Sequence, residues 1–437
     1  MRAGFAKEKI TPSVGTRMAG FASRDEEKGA ESVHDELYAR ILYLEDEEDE
    51  TVIIGFDLLF FARHNAEWLK ASIGRVLDLK PRQILLNTSH THVGPCVDTW
   101  HLNGFSLPDI VYMQEIERAV CRGVRSAKRE AREVSLWTGQ GKTEPPVSRR
   151  RPNEVGNVDW LPFFEGEVCE NLPVCLMKDA SGKAVCLLFS VSCHPSTCNG
   201  WSLSADYPGP ACDRLDEYMG QDCSLFLQGA GGDTKASVIA DGLDDSVLGG
   251  KVWRSGNWKD VDNAGHLVAD EVIRLIESGL EKNIPRFESY LYEVEWGLDP
   301  LPDQSVLEEQ AASDNQGQSI AAERMLKYLK MGRELDTRVP LLIHGIRISD
   351  ALRFVAIEGE LVGELGNQIL SRYANGATFA LGYSNGTGLY IPSDRMLVEG
   401  GYEVVSHHEY GFASKLANGV DGTLMDTVSR LQERGIV

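Results

Sequence analysis

The segment ILLNTSHTHVGP (residues 84–95) contains two histidines, spaced two residues apart, shortly after an apolar run. The apolar run predicts a buried strand, and Gly94 and Pro95 predict its end. In an extended chain, residues i and i+2 point the same way and lie roughly 6–7 Å apart. We therefore expect the imidazoles of His90 and His92 to project together from a strand end into a loop, where active sites are often built. Imidazole is a frequent metal ligand and also an acid–base group near neutral pH.

The composition limits the class of protein. The chain has 437 residues, of which 42% are hydrophobic and 25% charged, and its formal net charge is −22. These values are typical of a folded globular protein, and the negative charge disfavours nucleic-acid binding, which needs basic surface. No apolar run is long enough for a transmembrane segment, and the N-terminus lacks the apolar stretch of a secretory signal. The nine cysteines form no CxxC pair, which predicts buried free thiols and a cytoplasmic protein.

No repeat or linker divides the sequence, so we expect a single large catalytic domain over residues 1–437. Apolar residues recur at helical spacing over residues 109–130. Two pairs of segments predict hairpins: residues 172–178 with 184–192, and residues 339–349 with 352–358. This mixture of hairpins and helical crossovers predicts an α/β fold, with a mixed β-sheet core flanked by helices.

Further candidate residues follow other apolar runs. His194 lies just after such a run and directly before Pro195, and Glu360 follows the run ending at 357 and a glycine. The glycine-rich segment GYSNGTGLYIP (residues 382–392) predicts a tight loop that contains two tyrosines. Each of these features also fits an ordinary structural role. At this stage Glu358 and Glu364 remain alternatives to Glu360.

The order of these motifs resembles the catalytic domain of the neutral, non-lysosomal ceramidases and their bacterial homologues. The resemblance rests on the segments AKEKITP (6–12), FDLL (56–59), TSHTHVGP (88–95), SRRRP (148–152), CHP (193–195), SADYPG (204–209), GAGGD (229–233) and GE (359–360). It implies one catalytic zinc ion per chain, with the ligands His90, His194, Glu360 and Tyr390. Two imidazoles, a carboxylate and an open position are typical of a catalytic zinc site, where the pKa of bound water falls to about 7.

The resemblance also implies roles for residues around the metal. His92 is expected to handle the scissile amide and its protons, Arg149 to reach the substrate, and Tyr402 to lie near the oxyanion. Asp57 and Asp206 are candidates to orient a ligand histidine by hydrogen bonds. Two further candidates for supporting or substrate-contacting roles are Asp233 and Lys235.

The sequence departs from the family at one motif. The family carries a serine in a Gly-Asp-x-Ser-Pro-like segment, whereas Lys235 stands at that place in GDTKAS (residues 232–237). A serine mechanism is therefore not expected, and Lys235 either binds an anionic substrate group or is solvated. We also expect no secretion signal and no C-terminal β-sandwich domain, which the family ceramidases carry.

These observations predict a zinc-dependent amidohydrolase acting on a small-molecule N-acyl substrate that is smaller or more polar than ceramide. A zinc-dependent esterase, and a non-catalytic binding protein on a ceramidase-like scaffold, are the alternatives. The oligomeric state stays open.

Overall fold

A computed structural model describes residues 1–21, 24–25, 28–47, 49–97, 109–241 and 251–437. The strands are β1 Arg2–Lys9, β2 Ser32–Val33, β3 Tyr38–Glu45, β4 Glu50–Phe56, β5 Ile84–Thr88, β6 Arg132–Lys142, β7 Pro146–Pro152, β8 Val158–Phe163, β9 Asn171–Asp179, β10 Ala184–Val191, β11 Ser202–Leu203, β12 Ser224–Gln228, β13 Thr234–Ala236, β14 Ile239–Asp241, β15 Lys251–Trp253, β16 Glu281–Asn283, β17 Pro285–Gly297, β18 Arg338–Ser349, β19 Leu352–Ile357, β20 Glu360–Leu361, β21 Ala377–Leu381 and β22 Tyr390–Ile391. The helices are α1 Arg63–Leu77, α2 Ile110–Arg129, α3 Pro208–Met219, α4 Trp258–Ser278, α5 Gln304–Ala311, α6 Gln316–Lys330, α7 Gly363–Ser371, α8 Asp394–Glu399, α9 Tyr402–Val405 and α10 Val420–Glu433, with short 3₁₀ helices at Pro81–Gln83 and Ser406–Tyr410. Among these helices, none is both long and apolar enough to cross a lipid bilayer.

Two mixed sheets form the centre of the protein. The larger has the order β12-β10-β9-β6-β1-β3-β4-β5, with β16 also paired to β6. Its pairs β10–β12 and β4–β5 are parallel, and the others are antiparallel. The smaller sheet has the order β17-β18-β19-β21, and only β19–β21 is parallel. The predicted α/β fold with a mixed sheet flanked by helices is confirmed, and a second sheet is added to it.

Side-chain alternation along the strands places the sheets face to face. In β3, Ile41 and Tyr43 pack with residues of α1 and α2, whereas Leu42 and Leu44 pack with residues of the smaller sheet, such as Phe354. Successive side chains of a strand point to opposite faces, so one apolar strand supplies two cores. Other apolar clusters join the larger sheet to α3 and α4 and the smaller sheet to α7 and α10. The result is four layers, helix–sheet–sheet–helix.

The main sequence-based predictions of elements are confirmed. The periodic segment 109–130 forms α2, which begins after Asp109, whose carboxylate accepts hydrogen bonds from the N–H groups of Val111 and Tyr112. Both predicted hairpins are present, as β9–β10 and β18–β19. All nine cysteines have free thiols, and eight of them are buried.

One topological unit occurs three times, although no repeat is visible in the sequence. Each copy is an antiparallel strand pair, then a helix, then a strand parallel to the second strand of the pair. The three copies are β3-β4-α1-β5, β9-β10-α3-β12 and β18-β19-α7-β21. Loops that follow parallel strands are where such sheets usually place ligand sites.

The side chain of Asn87 ties the ends of these three units together. Its Nδ2 donates to the carbonyls of Gln228 (3.2 Å) and Gly382 (2.9 Å), and its Oδ1 accepts from the Gln228 N–H (2.7 Å). Asn87 belongs to β5, Gln228 ends β12, and Gly382 follows β21. The loops after these strands therefore meet at one place.

Candidate metal centre

The four predicted metal ligands meet where the three units join. His90 follows β5, His194 follows β10, and Glu360 follows β19. Glu360 in β20 is the direct parallel partner of Tyr390 in β22, so a two-stranded ladder fixes these two residues side by side. All four side chains are buried.

The ligand atoms lie at spacings that suit a metal ion. Glu360 Oε2 is 3.3 Å from His90 Nε2 and 3.4 Å from His194 Nε2, and the Tyr390 hydroxyl is 3.4 Å from His194 Nε2. A regular tetrahedron with such edges has its centre about 2.1 Å from each corner, which matches zinc–nitrogen and zinc–oxygen distances. His90 Nε2 is also buried without a hydrogen-bond partner among the described residues. These three distances therefore suit a tetrahedral metal ion.

Backbone carbonyls orient the two histidines that are candidate ligands. His90 Nδ1 is 2.9 Å from the Leu59 carbonyl, and His194 Nδ1 is 2.7 Å from the Gly231 carbonyl. Such contacts place the ring proton on Nδ1 and leave Nε2 as a lone-pair donor towards the centre. Burial, followed by the charge of Arg149, lowers the pKa of His194 to about 4, so that ring is neutral near pH 7.

The expectation that Asp57 and Asp206 orient these rings is wrong, because backbone carbonyls take that place. Asp57 accepts a hydrogen bond from the Tyr38 N–H (2.8 Å), and Asp206 accepts hydrogen bonds from the N–H groups of Thr197 (3.0 Å) and Tyr207 (2.7 Å). Burial raises the pKa of both carboxyl groups to about 6.

Two phenols that the sequence did not indicate as functional hold the Glu360 carboxylate. Tyr383 donates its hydroxyl to Oε2 (3.2 Å), and Tyr410 donates a short hydrogen bond to Oε1. Burial alone would raise the pKa of Glu360, but the imidazoles of His90 and His194 hold it well below its usual range. Tyr383 lies in the glycine-rich segment that drew attention to Tyr390, so its position in that loop was the available signal.

His92 lies beside these two histidines, and its ring makes no hydrogen bond to the described residues. Its ring centroid is 4.8 Å from that of His90 and 5.3 Å from that of His194, and both its ring nitrogens are buried and unpartnered among the described residues. Burial, and then the two other imidazoles, lower its pKa well below the usual value. Its backbone carbonyl accepts from Arg24 Nη2 (2.9 Å), which fixes the loop.

The extended arrangement expected for His90 and His92 is wrong. Strand β5 ends at Thr88, and His90 adopts a left-handed conformation with φ of +67°. Such a φ is uncommon outside glycine and is often found at functional sites. The turn separates the directions of the two rings, which meet edge to face at an interplanar angle of 83°.

The three histidines also form a possible metal-binding group by themselves. One nitrogen from each of His90, His92 and His194 lies within 4.8 Å of the others. This group can hold a metal ion, and it shares two members with the four-residue set. The two sets differ in whether His92, or Glu360 with Tyr390, completes the coordination.

Arg149 makes hydrogen bonds within the protein, including one to the candidate ligand Tyr390. Its Nε donates to Glu403 (2.7 Å), and its Nη2 donates to the Gly232 carbonyl (2.6 Å) and the Tyr390 hydroxyl (3.2 Å). The Trp160 ring covers the guanidinium at 4.0 Å. Nη2 thus holds Tyr390 and Nε holds Glu403, whereas a contact of Arg149 with the substrate stays a prediction.

A small recess opens above the histidines. Its volume is about 30 Å³, and its lining includes His90, His92, Glu360, Tyr390, Tyr402 and Glu409. Tyr402 donates its hydroxyl to Glu409 (2.8 Å), so the proton expected to face an oxyanion is directed to this carboxylate instead. Glu409 was not singled out from the sequence, because nothing in its local pattern distinguishes it.

The remaining candidates lie outside the ligand set. Glu358 and Glu364 are bound by Arg63 and Arg395, which removes both as alternatives to Glu360. Asp233 accepts a hydrogen bond from the Gly363 N–H (2.8 Å), which joins the loop after β12 to the start of α7. Lys235 forms a backbone bridge with His194, but its ammonium lies 5.4 Å from the Trp253 ring centroid, and among the described residues it does not line the recess.

Comparisons with known proteins agree with this arrangement at the level of the fold. No protein-family model matches the chain, and no curated protein matches it significantly. The solved structure of neutral ceramidase from Pseudomonas aeruginosa matches with a TM-score of 0.74 and 15% identity, over 99% of this chain and 74% of that one. A structure described as ceramidase complexed with C2 matches with a TM-score of 0.74 and 14% identity, over 99% and 75%. The chain thus has a ceramidase-like fold.

Proposed function

We propose that this protein is a zinc-dependent hydrolase that cleaves the C–N bond of a small N-acyl amide. The observation that carries the proposal is the convergence of His90, His194, Glu360 and Tyr390, in which Glu360 lies 3.3–3.4 Å from both imidazoles and Tyr390 lies 3.4 Å from His194. The ceramidase-like fold supports it, because the two similar structures are named as ceramidases, and ceramide is an N-acyl amide. When bound there, zinc supplies a Lewis acid that activates water near neutral pH.

The chain's own residues supply the proton transfer. In the reaction the acyl C–N bond breaks, a water oxygen joins the acyl carbon, and a water proton passes to the leaving nitrogen. His92 is the candidate to carry that proton, because its ring nitrogens are unpartnered among the described residues and its lowered pKa keeps it neutral. A positioned imidazole of this kind contributes roughly 10²–10⁴-fold to the rate.

Arg149 acts as a positioning residue for the proposed ligand Tyr390. Its charge is balanced by Glu403, and its Nη2 holds the Tyr390 hydroxyl at 3.2 Å. Tyr383 and Tyr410 fix both oxygens of Glu360 in the same way. Hydrogen bonds that orient metal ligands are typically worth about 10–100-fold in metal affinity.

A substrate smaller or more polar than ceramide is supported by the departure from the ceramidase motif at Lys235. The recess of about 30 Å³ beside the histidines has room for only a water or two, so its volume does not set the size of the substrate. An ester of similar shape would fit equally well, so an esterase is the second candidate. A non-catalytic binding protein has less support, because a binding role alone does not require a complete set of metal ligands.

Metal analysis and a substrate panel test the proposal together. We expect about one zinc per chain after dialysis against metal-free buffer, and hydrolysis of short N-acyl amides that is lost with zinc removal. His90→Ala should lose both zinc and activity. A native protein without bound metal would favour the binding protein, whereas cleavage of esters but not of matched amides would favour the esterase. Faster cleavage of N-acylsphingosines than of short polar amides would contradict the proposed substrate size.

A further inference from the structure

Glu409 lies in the wall of the recess with one carboxylate oxygen uncommitted. It belongs to the 3₁₀ helix Ser406–Tyr410 and lines the recess together with His90 and His92. Its Oε2 accepts the hydroxyl of Tyr402 at 2.8 Å. Its Oε1 makes no hydrogen bond to any of the described residues. A carboxylate therefore faces the space where a substrate would bind.

Glu409 also differs from its acidic neighbours, because it has no ion-pair partner among the described residues. Glu403 is paired with both Arg149 and Arg150, and Glu360 lies against two imidazoles. In contrast, no lysine, arginine or histidine nitrogen of the described chain lies within 4.0 Å of Glu409. Burial raises the pKa of its carboxyl group, because a partly desolvated charge is costly without a partner. A cation bound at Oε1 would remove this cost.

The charge distribution of the whole protein also favours a positively charged ligand. The net charge of −22 attracts cations towards the protein. The Arg149 guanidinium, whose charge acts on Glu409, is balanced by Glu403. The Lys235 ammonium lies 5.4 Å from the Trp253 ring centroid, and Lys235 is not among the described residues that line the recess. The described lining of the recess thus offers an unpaired anion and no unpaired lysine or arginine.

We propose that Glu409 binds a positively charged group of the substrate, so that the preferred substrates are N-acyl amides carrying an ammonium group a few bonds from the scissile bond. The inference rests on the proposed amide hydrolysis and names its substrate class. Tyr402 connects recognition to the metal centre, because its hydroxyl contacts Glu409 while its ring packs against Tyr390 at 5.6 Å between centroids. Glu409 is thus a specificity-determining residue.

A matched set of amides tests this inference on the zinc-loaded protein. N-acetylputrescine carries the ammonium, N-pentylacetamide replaces it with a methyl group, and N-acetyl-γ-aminobutyrate carries a carboxylate instead. We expect the wild type to prefer N-acetylputrescine over N-pentylacetamide by roughly 100-fold in kcat/KM, and to cleave the carboxylate probe most slowly. Glu409→Gln, which keeps an acceptor for Tyr402 but removes the charge, should abolish this preference, measured as the ratio of kcat/KM for N-acetylputrescine to kcat/KM for N-pentylacetamide.

Three controls keep the inference falsifiable. Glu433→Gln removes an exposed glutamate of α10 and should leave the preference unchanged. Zinc content and thermal unfolding of Glu409→Gln should match the wild type, since loss of zinc would make Glu409 a metal ligand and overturn the assignment. Glu409→Lys should shift the preference towards N-acetyl-γ-aminobutyrate.

A binding measurement separates this inference from the proposed function. Calorimetric titration of N-acetylputrescine into zinc-loaded His92→Asn should show binding that Glu409→Gln in the same background weakens at least about 10-fold. Equal binding with and without the Glu409 charge overturns the inference, whatever the activity. If the wild type cleaves both neutral and cationic amides at equal rates, the amide hydrolase stands and only the role of Glu409 fails.

Discussion

Substituting one residue from each of the two possible sets of metal ligands gives the sharpest prediction. Both sets contain His90 and His194. The four-residue set adds Glu360 and Tyr390, whereas the three-histidine set adds His92. We expect Glu360→Gln to lose zinc and His92→Asn to retain it. Glu360→Gln keeps the side-chain volume and His92→Asn leaves only a small cavity, so the fold should survive both substitutions.

The expected magnitudes follow from the contacts. Glu360 is the anionic corner of the tetrahedron, 3.3 and 3.4 Å from the two ligand nitrogens, and two phenols donate to it. Since loss of a mere orienting partner costs about 10–100-fold in metal affinity, loss of the carboxylate itself should raise the zinc Kd more than about 100-fold. For His92→Asn we expect a change in Kd below about 3-fold and a fall in kcat of roughly 10²–10⁴-fold.

The assay is competition for zinc against a chromophoric chelator, combined with elemental analysis of dialysed protein. Circular dichroism of each variant checks that the fold is intact, and Glu433→Gln serves as a control of the same chemistry on an exposed helix position. If His92→Asn loses zinc while Glu360→Gln keeps it, the three-histidine group is the metal site, and the assignment of Glu360 and Tyr390 as ligands is refuted.

Three further substitutions test other parts of the structure. Tyr410→Phe removes the phenol that donates to Glu360 Oε1 and should weaken zinc binding by about 10–100-fold, measured by the same competition; an unchanged Kd would show that this hydrogen bond does not position the carboxylate. Lys70 is buried, its ammonium makes only a 3.4 Å hydrogen bond to the Pro81 carbonyl among the described residues, and burial lowers its pKa to about 7. Lys70→Met should therefore raise the free energy of unfolding by roughly 1–4 kcal/mol at pH 7, measured by urea denaturation. A loss of stability would contradict this account. Burial, followed by the charge of Lys70, lowers the pKa of His344 from 6.5 to about 3. Between these pH values the unfolded chain therefore binds about one more proton at this residue, and the free energy of unfolding falls by roughly 1.4 kcal/mol per pH unit as the pH decreases. His344→Gln should make that pH dependence shallower by this amount, and an unchanged slope would mean that His344 is protonated in the folded protein.

Periodicity and strand-end position were enough to predict much of the fold and part of the candidate site. Helix α2 and the hairpins β9–β10 and β18–β19 follow local patterns of apolar residues, which report directly on burial of one face. His90, His194 and Glu360 each follow an apolar run, so their type and position marked them as candidates. The family resemblance added Tyr390, which the ladder between β20 and β22 pairs directly with Glu360.

The residues that position another side chain by a hydrogen bond could not be recognised from local sequence patterns. Tyr383 lies in a loop, and Glu403 and Tyr410 lie in helices of only four or five residues, too short to show apolar periodicity. Their hydrogen-bond partners are distant in the chain. Asp57 and Asp206 were candidates because carboxylates commonly orient metal-bound histidines, yet backbone carbonyls do so here. Backbone groups carry no residue-specific mark, so their role cannot be inferred from residue types.

The sequence by itself determined the fold class, the helices and hairpins, and the residue types able to bind a metal, because these depend on local apolar patterning and on side-chain chemistry. Only the tertiary structure decided the geometry of the candidate centre. The left-handed turn at His90 set the two histidine rings of the 84–95 segment edge to face, and Asn87 joined the strand ends of three units. The contacts of Asn87 join residues more than a hundred positions apart, which no local pattern encodes.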